Sequence, residues 1–228
     1  MKYFIFLLLF TLAYSKVIIK TDSILIDKPI KSWMEIRDSN LTKQKYDYSC
    51  GAASLSTILT YYYNIKTSEK DILDFILKTK GIDINKKLEI ELNDDLRDKA
   101  STSFIDLAKY AEQNSLKALG LALDIESLSK LKVPAILYVK ARNNDHFSVY
   151  RGMDSLFVYL ADPSFGNIKI SKDKFKEMFY QRNDTIHPGK LLVFIPNSSN
   201  INVNNDFMTI KHNVKFIENA IEDKGILQ

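Results

Sequence analysis

The sequence predicts an α+β fold for this 228-residue chain. Apolar residues recur at helical spacing in the first half, short β-branched and aromatic runs fill the second, and turn residues punctuate those runs. Helices first and an antiparallel sheet afterwards make an α+β domain.

Taken in order, residues 16–40 form a lead-in of short apolar stretches and charges, with Val17-Ile18-Ile19 as an edge strand. After Cys50, the positions Leu55, Ile58, Leu59 and Tyr62 fall on one helical face. Ser68 with Asp71 three residues on has the form of a capping box, opening a helix that carries Ile72, Leu73, Phe75 and Ile76. Thr102 to Gln113 repeats the arrangement with Phe104, Leu107, Ala108 and Ala111, and Asp124 caps a short helix ending near Leu131. The strands follow: Val133 to Val139, Phe147 to Arg151, Leu156 to Leu160, Ile168 to Ile170 and Leu191 to Ile195. Asp154-Ser155 and Pro163 to Gly166 supply turns. An asparagine-rich stretch, 197–205, reads as a linker, and Phe207, Ile210, Val214, Ile217 and Ile221 place an amphipathic helix over 206–228. That helix packs on the domain or offers a partner surface.

With 46% apolar residues the chain can bury one good core, and the segment 41–196 is read as a single domain. Lysine and arginine total 32 against 28 acidic residues, and they are scattered, so no stripe exists for tracking nucleic-acid phosphates. Met1-Lys2, the apolar run Tyr3 to Ala13 and the small residues up to Ser15 form a secretory signal peptide over 1–15. The run is about half of the roughly 20 residues that a spanning helix needs. The expectation is an exported chain, periplasmic or secreted, with no stable membrane span after signal cleavage.

The single cysteine cannot form an internal disulfide. It is either a buried apolar residue or a reactive thiol, and a free thiol in an oxidising compartment needs a reason. Gly51-Ala52-Ala53 and the helical face that follow it put Cys50 at a helix N-terminus, where the dipole and unpaired N–H groups favour thiolate. Gln44, six residues upstream, can donate its amide to a developing oxyanion together with a backbone N–H near Cys50. His146 opens a strand after the loop Asn143-Asn144-Asp145, displayed toward a cleft as a general base requires. Asp162 ends the next strand before Pro163. Two antiparallel neighbours, one beginning at His146 and one ending near Asp162, bring both to one end of a hairpin, so the carboxylate can accept from imidazole Nδ1–H. Asp145 is the runner-up, although a neighbour on the same strand points to the opposite face. His187 lies in a turn and His212 in the terminal helix, and neither is expected to catalyse. No metal or cofactor is expected, since one cysteine and scattered histidines make no zinc spacing.

Together these residues resemble the bacteriocin-processing, double-glycine leader peptidases, a branch of the papain-like cysteine peptidases. The resemblance rests on Gln44, Cys50-Gly51-Ala52-Ala53 with Leu55, His146-Phe147-Ser148-Val149, and Ala161-Asp162-Pro163-Ser164 with Gly166. It covers roughly residues 40 to 196. It implies a papain-like fold, with N-terminal helices packed on a C-terminal antiparallel sheet, and a peptide or protein substrate cleaved after small residues such as Gly-Gly. It maps the family's nucleophile, base, orienting carboxylate and oxyanion donor onto Cys50, His146, Asp162 and Gln44. The chain reads as a stand-alone exported member without a transporter. Readings of other classes are a catalytically silent peptide-binding or assembly protein of the same fold, and a thiol acyltransferase that passes the acyl group to an amine.

Overall fold

A computed structural model describes residues 16–20, 25–29, 31–83, 85, 90, 93–141, 144–198 and 201–209. The expected signal peptide, 1–15, and residues 210–228 of the expected terminal helix lie outside them. The chain divides into two units, Met1–Arg37 and Asp38–Gln228.

In the first unit, β1 (Lys16–Lys20) pairs antiparallel with β2 (Leu25–Pro29), with Lys16 opposite Pro29. The short α1 (Trp33–Arg37) follows. Ser32 caps it reciprocally: its N–H donates to Glu35 Oε2 at 2.7 Å, and Glu35 N–H donates to Ser32 Oγ at 3.2 Å.

The second unit opens with α2 (Cys50–Tyr61) and α3 (Glu69–Thr79), then α4 (Asp94–Ala100) and α5 (Phe104–Gln113). The capping box expected at Ser68–Asp71 forms, and a second one forms at Ser103–Asp106. In each, the serine hydroxyl accepts from the aspartate's N–H while the carboxylate accepts from the serine's N–H, so two helix-end donors are satisfied at once. The sheet is formed by β3 (Leu116–Leu123), β4 (Ala135–Ala141), β5 (Asn144–Met153), β6 (Phe157–Asp162), β7 (Gly166–Ser171) and β8 (Gly189–Pro196). Its order is β3-β8-β4-β5-β6-β7, and every pairing is antiparallel. Two helices interrupt the strands: α6 (Ile125–Ser129), capped by Asp124, and α7 (Lys172–Phe179), capped by Ser171.

Alternation along the strands sorts side chains into two cores, one on each face of the sheet. Phe147, Val149, Ile136, Leu192 and Phe194 join the cluster around α2, α3 and α5. Tyr150, Leu137, Leu160, Leu191 and Val193 join Phe175 and Phe179 of α7. The sequence assigned α2 one apolar face, but the structure buries it on all sides, from Cys50 through Leu59. Its hydroxyls are therefore satisfied internally: Ser56 donates to Thr67 O at 2.8 Å and Thr57 to Ala53 O at 2.8 Å.

Three elements carried little sequence signal. β3 is built from leucine, alanine and glycine with one lysine, and no β-branched or aromatic residue, and is held by its full-length pairing with β8. α4 and α7 are short, and each depends on a polar cap, Asn93 Oδ1 and Ser171 Oγ respectively. The asparagine-rich stretch is tied to the domain, with Asn204 N–H donating to Tyr62 O at 2.7 Å and Asn64 Nδ2 donating to Asn202 O at 3.2 Å. A 3-10 turn over Asn205–Met208 buries Phe207 beside Tyr62 and under the Arg151 guanidinium.

Candidate active site

Cys50 is the first residue of α2 and is buried apart from 8% of its surface. Its N–H and those of the first turn have no intrahelical acceptor, so they point at whatever occupies the helix mouth. The helix can come this close to the sheet because residue 51 is glycine. A Cβ there would stand 2.6 Å from Thr102 Cγ2 and 3.0 Å from Phe147 Cδ2.

His146 sits on β5, two residues inside the strand start rather than at its first position, and opposite Val139 of β4. Asp162 ends β6. Val149 pairs with Ala161, so the antiparallel register carries His146 and Asp162 to the same end of the sheet. His146 Nε2 lies 2.9 Å from Asp162 Oδ2. Strand direction alone predicts Nδ1 as the partner in this bond. The observed partner is Nε2, which leaves Nδ1 as the ring nitrogen available to the thiol.

Burial disfavours a charged His146. The hydrogen bond with Asp162, then that with Cys50, and the charges of both outweigh it and push the imidazole up to about 10. Burial likewise opposes an ionised Asp162. The His146 hydrogen bond and charge, with the N–H groups of Phe165 and Ser164, hold its carboxyl below the usual range. Those N–H groups donate to Asp162 Oδ1 at 3.0 and 2.9 Å, while Oδ2 faces the imidazole. The turn that presents them is a three-residue hairpin loop closed by Gly166, whose φ of 88° suits glycine. The Phe165 ring stands edge-on to the imidazole, with centroids 6.4 Å apart.

Gln44 reaches the same turn. Its N–H donates to Pro163 O at 3.0 Å, and its Oε1 accepts from the Ser164 hydroxyl at 2.9 Å. Nε2 donates to Tyr46 O at 3.2 Å, which leaves one amide N–H free of that bond. The Tyr46 carbonyl can only accept, so these two contacts determine which end of the amide is nitrogen. Sequence reasoning did not single out Ser164 as a partner of Gln44, because the two are 120 residues apart.

A second unanticipated residue is Glu69, at the start of α3 and 5% exposed. Its Oε1 accepts from Lys45 N–H at 2.8 Å and from the Ser49 hydroxyl at 2.5 Å. In the sequence it reads as an ordinary first-turn acid.

The remaining candidates lie elsewhere. The Asp145 carboxylate engages the Tyr138 hydroxyl, on the face opposite His146. His187 sits in an exposed turn with Nδ1 3.6 Å from Asp184 Oδ2. His212 is outside the described residues.

The model of the family described as "Peptidase C39 family" matches residues 73–188, a span that holds His146 and Asp162 but starts after Gln44 and Cys50. A Pseudomonas fluorescens protein named "Probable functional amyloid protease FapD" is 33% identical over 150 residues, 66% of this chain and 61% of that protein. Its namesake from Pseudomonas aeruginosa is 29% identical over 151 residues, 66% of this chain and 62% of that protein. The chain thus spans about three fifths of the length of these relatives. Among solved structures, the peptidase domain of Streptococcus ComA, a bifunctional ABC transporter of a quorum-sensing pathway, shares the fold. Its TM-score is 0.51 at 17% identity, over 69% of this chain and 98% of that one. Half of the sequence lies within one family's model, including the hairpin on which His146 and Asp162 meet, and the chain belongs to the Peptidase C39 family, a family of cysteine peptidases.

Proposed function

We propose that the protein hydrolyses a peptide bond in an exported protein or peptide, with Cys50 as nucleophile, His146 as base, Asp162 as the orienting carboxylate and Gln44 as oxyanion donor. The observation that carries this reading is the imidazole of His146, held between the Asp162 carboxylate at 2.9 Å and the thiol that opens α2.

Nδ1 takes the Cys50 proton, and the resulting thiolate is stabilised by imidazolium and by the N-terminus of α2. The thiolate attacks the scissile carbonyl. The Gln44 amide and the Cys50 N–H receive the charge that develops on its oxygen. The imidazolium then protonates the leaving amine, and a water activated by His146 releases the acyl group and regenerates the thiol.

A cleft of about 670 Å³ reaches Asp162 and Phe165, with the apolar Ala141, Ile168, Ile170 and Met178 and the polar Lys140, Lys174, Glu177 and Gln181 completing its lining. Its lining of apolar residues interspersed with charged ones supports a peptide that binds through hydrophobic and polar side chains. The names of the two Pseudomonas relatives support an amyloid-forming exported polypeptide as the substrate class. The Gly-Gly preference follows from the resemblance to leader peptidases. Export rests on the apolar run at residues 3–13. Among the described residues no helix is long and apolar enough to cross a membrane.

The test compares new protein termini by mass spectrometry in exported fractions from cells carrying wild-type protein or Cys50→Ala. The reading expects termini that disappear with the variant. Identical termini in both would sink it.

A further inference from the structure

Glu69 is a buried carboxylate that the proposed mechanism leaves unused. No cation pairs with it among the described residues; its contacts are the Lys45 N–H and the Ser49 hydroxyl, both on the single oxygen Oε1. Burying such a group without an ion pair is costly unless good donors compensate. The cost is met here by charge-assisted geometry, a hydroxyl at 2.5 Å and an amide at 2.8 Å.

The location of those donors matters. Lys45 and Ser49 are the first and last residues of the segment that separates Gln44 from Cys50. One oxygen, delivered from α3, bridges the two ends of that segment. The same segment is closed internally: Ser49 N–H donates to Tyr46 O at 3.1 Å, Tyr46 N–H donates to Ser49 Oγ at 3.2 Å, and the one proton of the Ser49 hydroxyl is shared between Glu69 Oε1 and Tyr46 O, the latter at 2.7 Å. Tyr46 O is also the acceptor that holds Gln44 Nε2. A shift of the Lys45–Ser49 turn therefore moves the Gln44 amide relative to the sulfur, although Glu69 touches neither.

We propose that Glu69 is a positioning residue that sets the distance between the oxyanion donor Gln44 and the nucleophile Cys50. This rests on the peptidase reading above. Displacing a catalytic donor by an ångström can cost up to about a hundredfold in rate, and removing it costs about 10²–10³. A loosened turn belongs at the lower end of that scale.

The experiment measures hydrolysis of a fluorogenic peptide bearing Gly-Gly before the reporter, together with alkylation of Cys50 by iodoacetamide. Alkylation needs the thiolate but no oxyanion donor. Glu69→Gln keeps the side-chain shape and should lower kcat about tenfold with KM little changed. Alkylation should stay within about twofold across pH, since the Cys50–His146–Asp162 contacts are untouched. Ser49→Ala removes the hydroxyl arm of the bridge together with the Ser49 Oγ contacts to Tyr46, leaves the Lys45 arm, and should give the same pattern. In a Gln44→Ala background, Glu69→Gln should cost nothing further, because the group it positions is gone. The proposal is overturned if Glu69→Gln leaves kcat intact, slows alkylation as much as hydrolysis, or multiplies with Gln44→Ala. If Gln44→Ala alone leaves kcat unchanged while Cys50→Ala abolishes it, the oxyanion role of Gln44 fails and this inference with it. If Gln44→Ala is impaired and Glu69→Gln is not, only this inference fails.

Discussion

At the scale of single residues, the bond between His146 Nε2 and Asp162 Oδ2 has consequences for pH. The folded imidazole is raised to about 10 from an ordinary value of 6.5. Its contribution to stability is fully present below about pH 6.5 and is lost as pH rises through about 10. Asp162 is shifted the other way, so its contribution is present above its ordinary value of 3.8 and is lost as pH falls through the lower folded value. In Asp162→Asn the imidazolium loses its main stabiliser. Denaturation midpoints should then change less between pH 7 and pH 10 than in wild type, and iodoacetamide should alkylate Cys50 more slowly at pH 5–6. An unchanged alkylation profile would show that Asp162 does not support the imidazolium. Ser164→Ala removes the hydroxyl that holds Gln44 Oε1. One net hydrogen bond is worth about 0.5–1.5 kcal/mol. A fall in kcat of roughly two- to tenfold is expected, with the alkylation rate preserved, and stopped-flow alkylation beside steady-state hydrolysis separates the two.

At the scale of elements, α2 is the piece on which the site depends. It is buried along its length and approaches the sheet at Gly51. Gly51→Ala would place a methyl 2.6 Å from Thr102 Cγ2, so overpacking of about 1–3 kcal/mol is expected. Thr102→Ala removes that methyl group and should recover part of the loss, as read from urea midpoints of the single and double variants. If the double variant were no more stable than Gly51→Ala, the contact would not be the cause. The capping boxes and the buried positions Leu55, Ile58 and Leu59 were readable because they depend on spacings of three and four residues. The burial of the helix's remaining sides was not, because it depends on α3, α5 and β5 closing around it. β3 escaped for the same reason, since its partner β8 is distant in sequence, with four other strands between them.

At the scale of the whole molecule, residues 201–209 return to close the main core. Phe207 is 1% exposed and packs with Tyr62, while its carbonyl accepts from Arg151 Nε at 2.8 Å. Phe207→Ala should cost about 3–5 kcal/mol, measured by thermal or urea unfolding, and a loss below about 1 kcal/mol would mean that this segment is peripheral to stability. The same contact explains why composition misleads here: a tract rich in asparagine resembles a linker, yet its side chains and backbone satisfy carbonyls and amides at the end of α2.

The sequence by itself determined the class of the fold, the helix start at Cys50, and the hairpin logic that brings His146 to Asp162. Each follows from local periods, caps and strand direction, which are properties of neighbouring residues. Only the tertiary structure decided that Nε2 rather than Nδ1 faces the carboxylate, that Ser164 holds the Gln44 amide across 120 residues, and that Glu69 bridges the segment before Cys50 from 20 and 24 residues away. Those contacts form between groups whose proximity exists only after the sheet and helices have closed. Their positions are set by packing across the domain, and no short-range pattern encodes them.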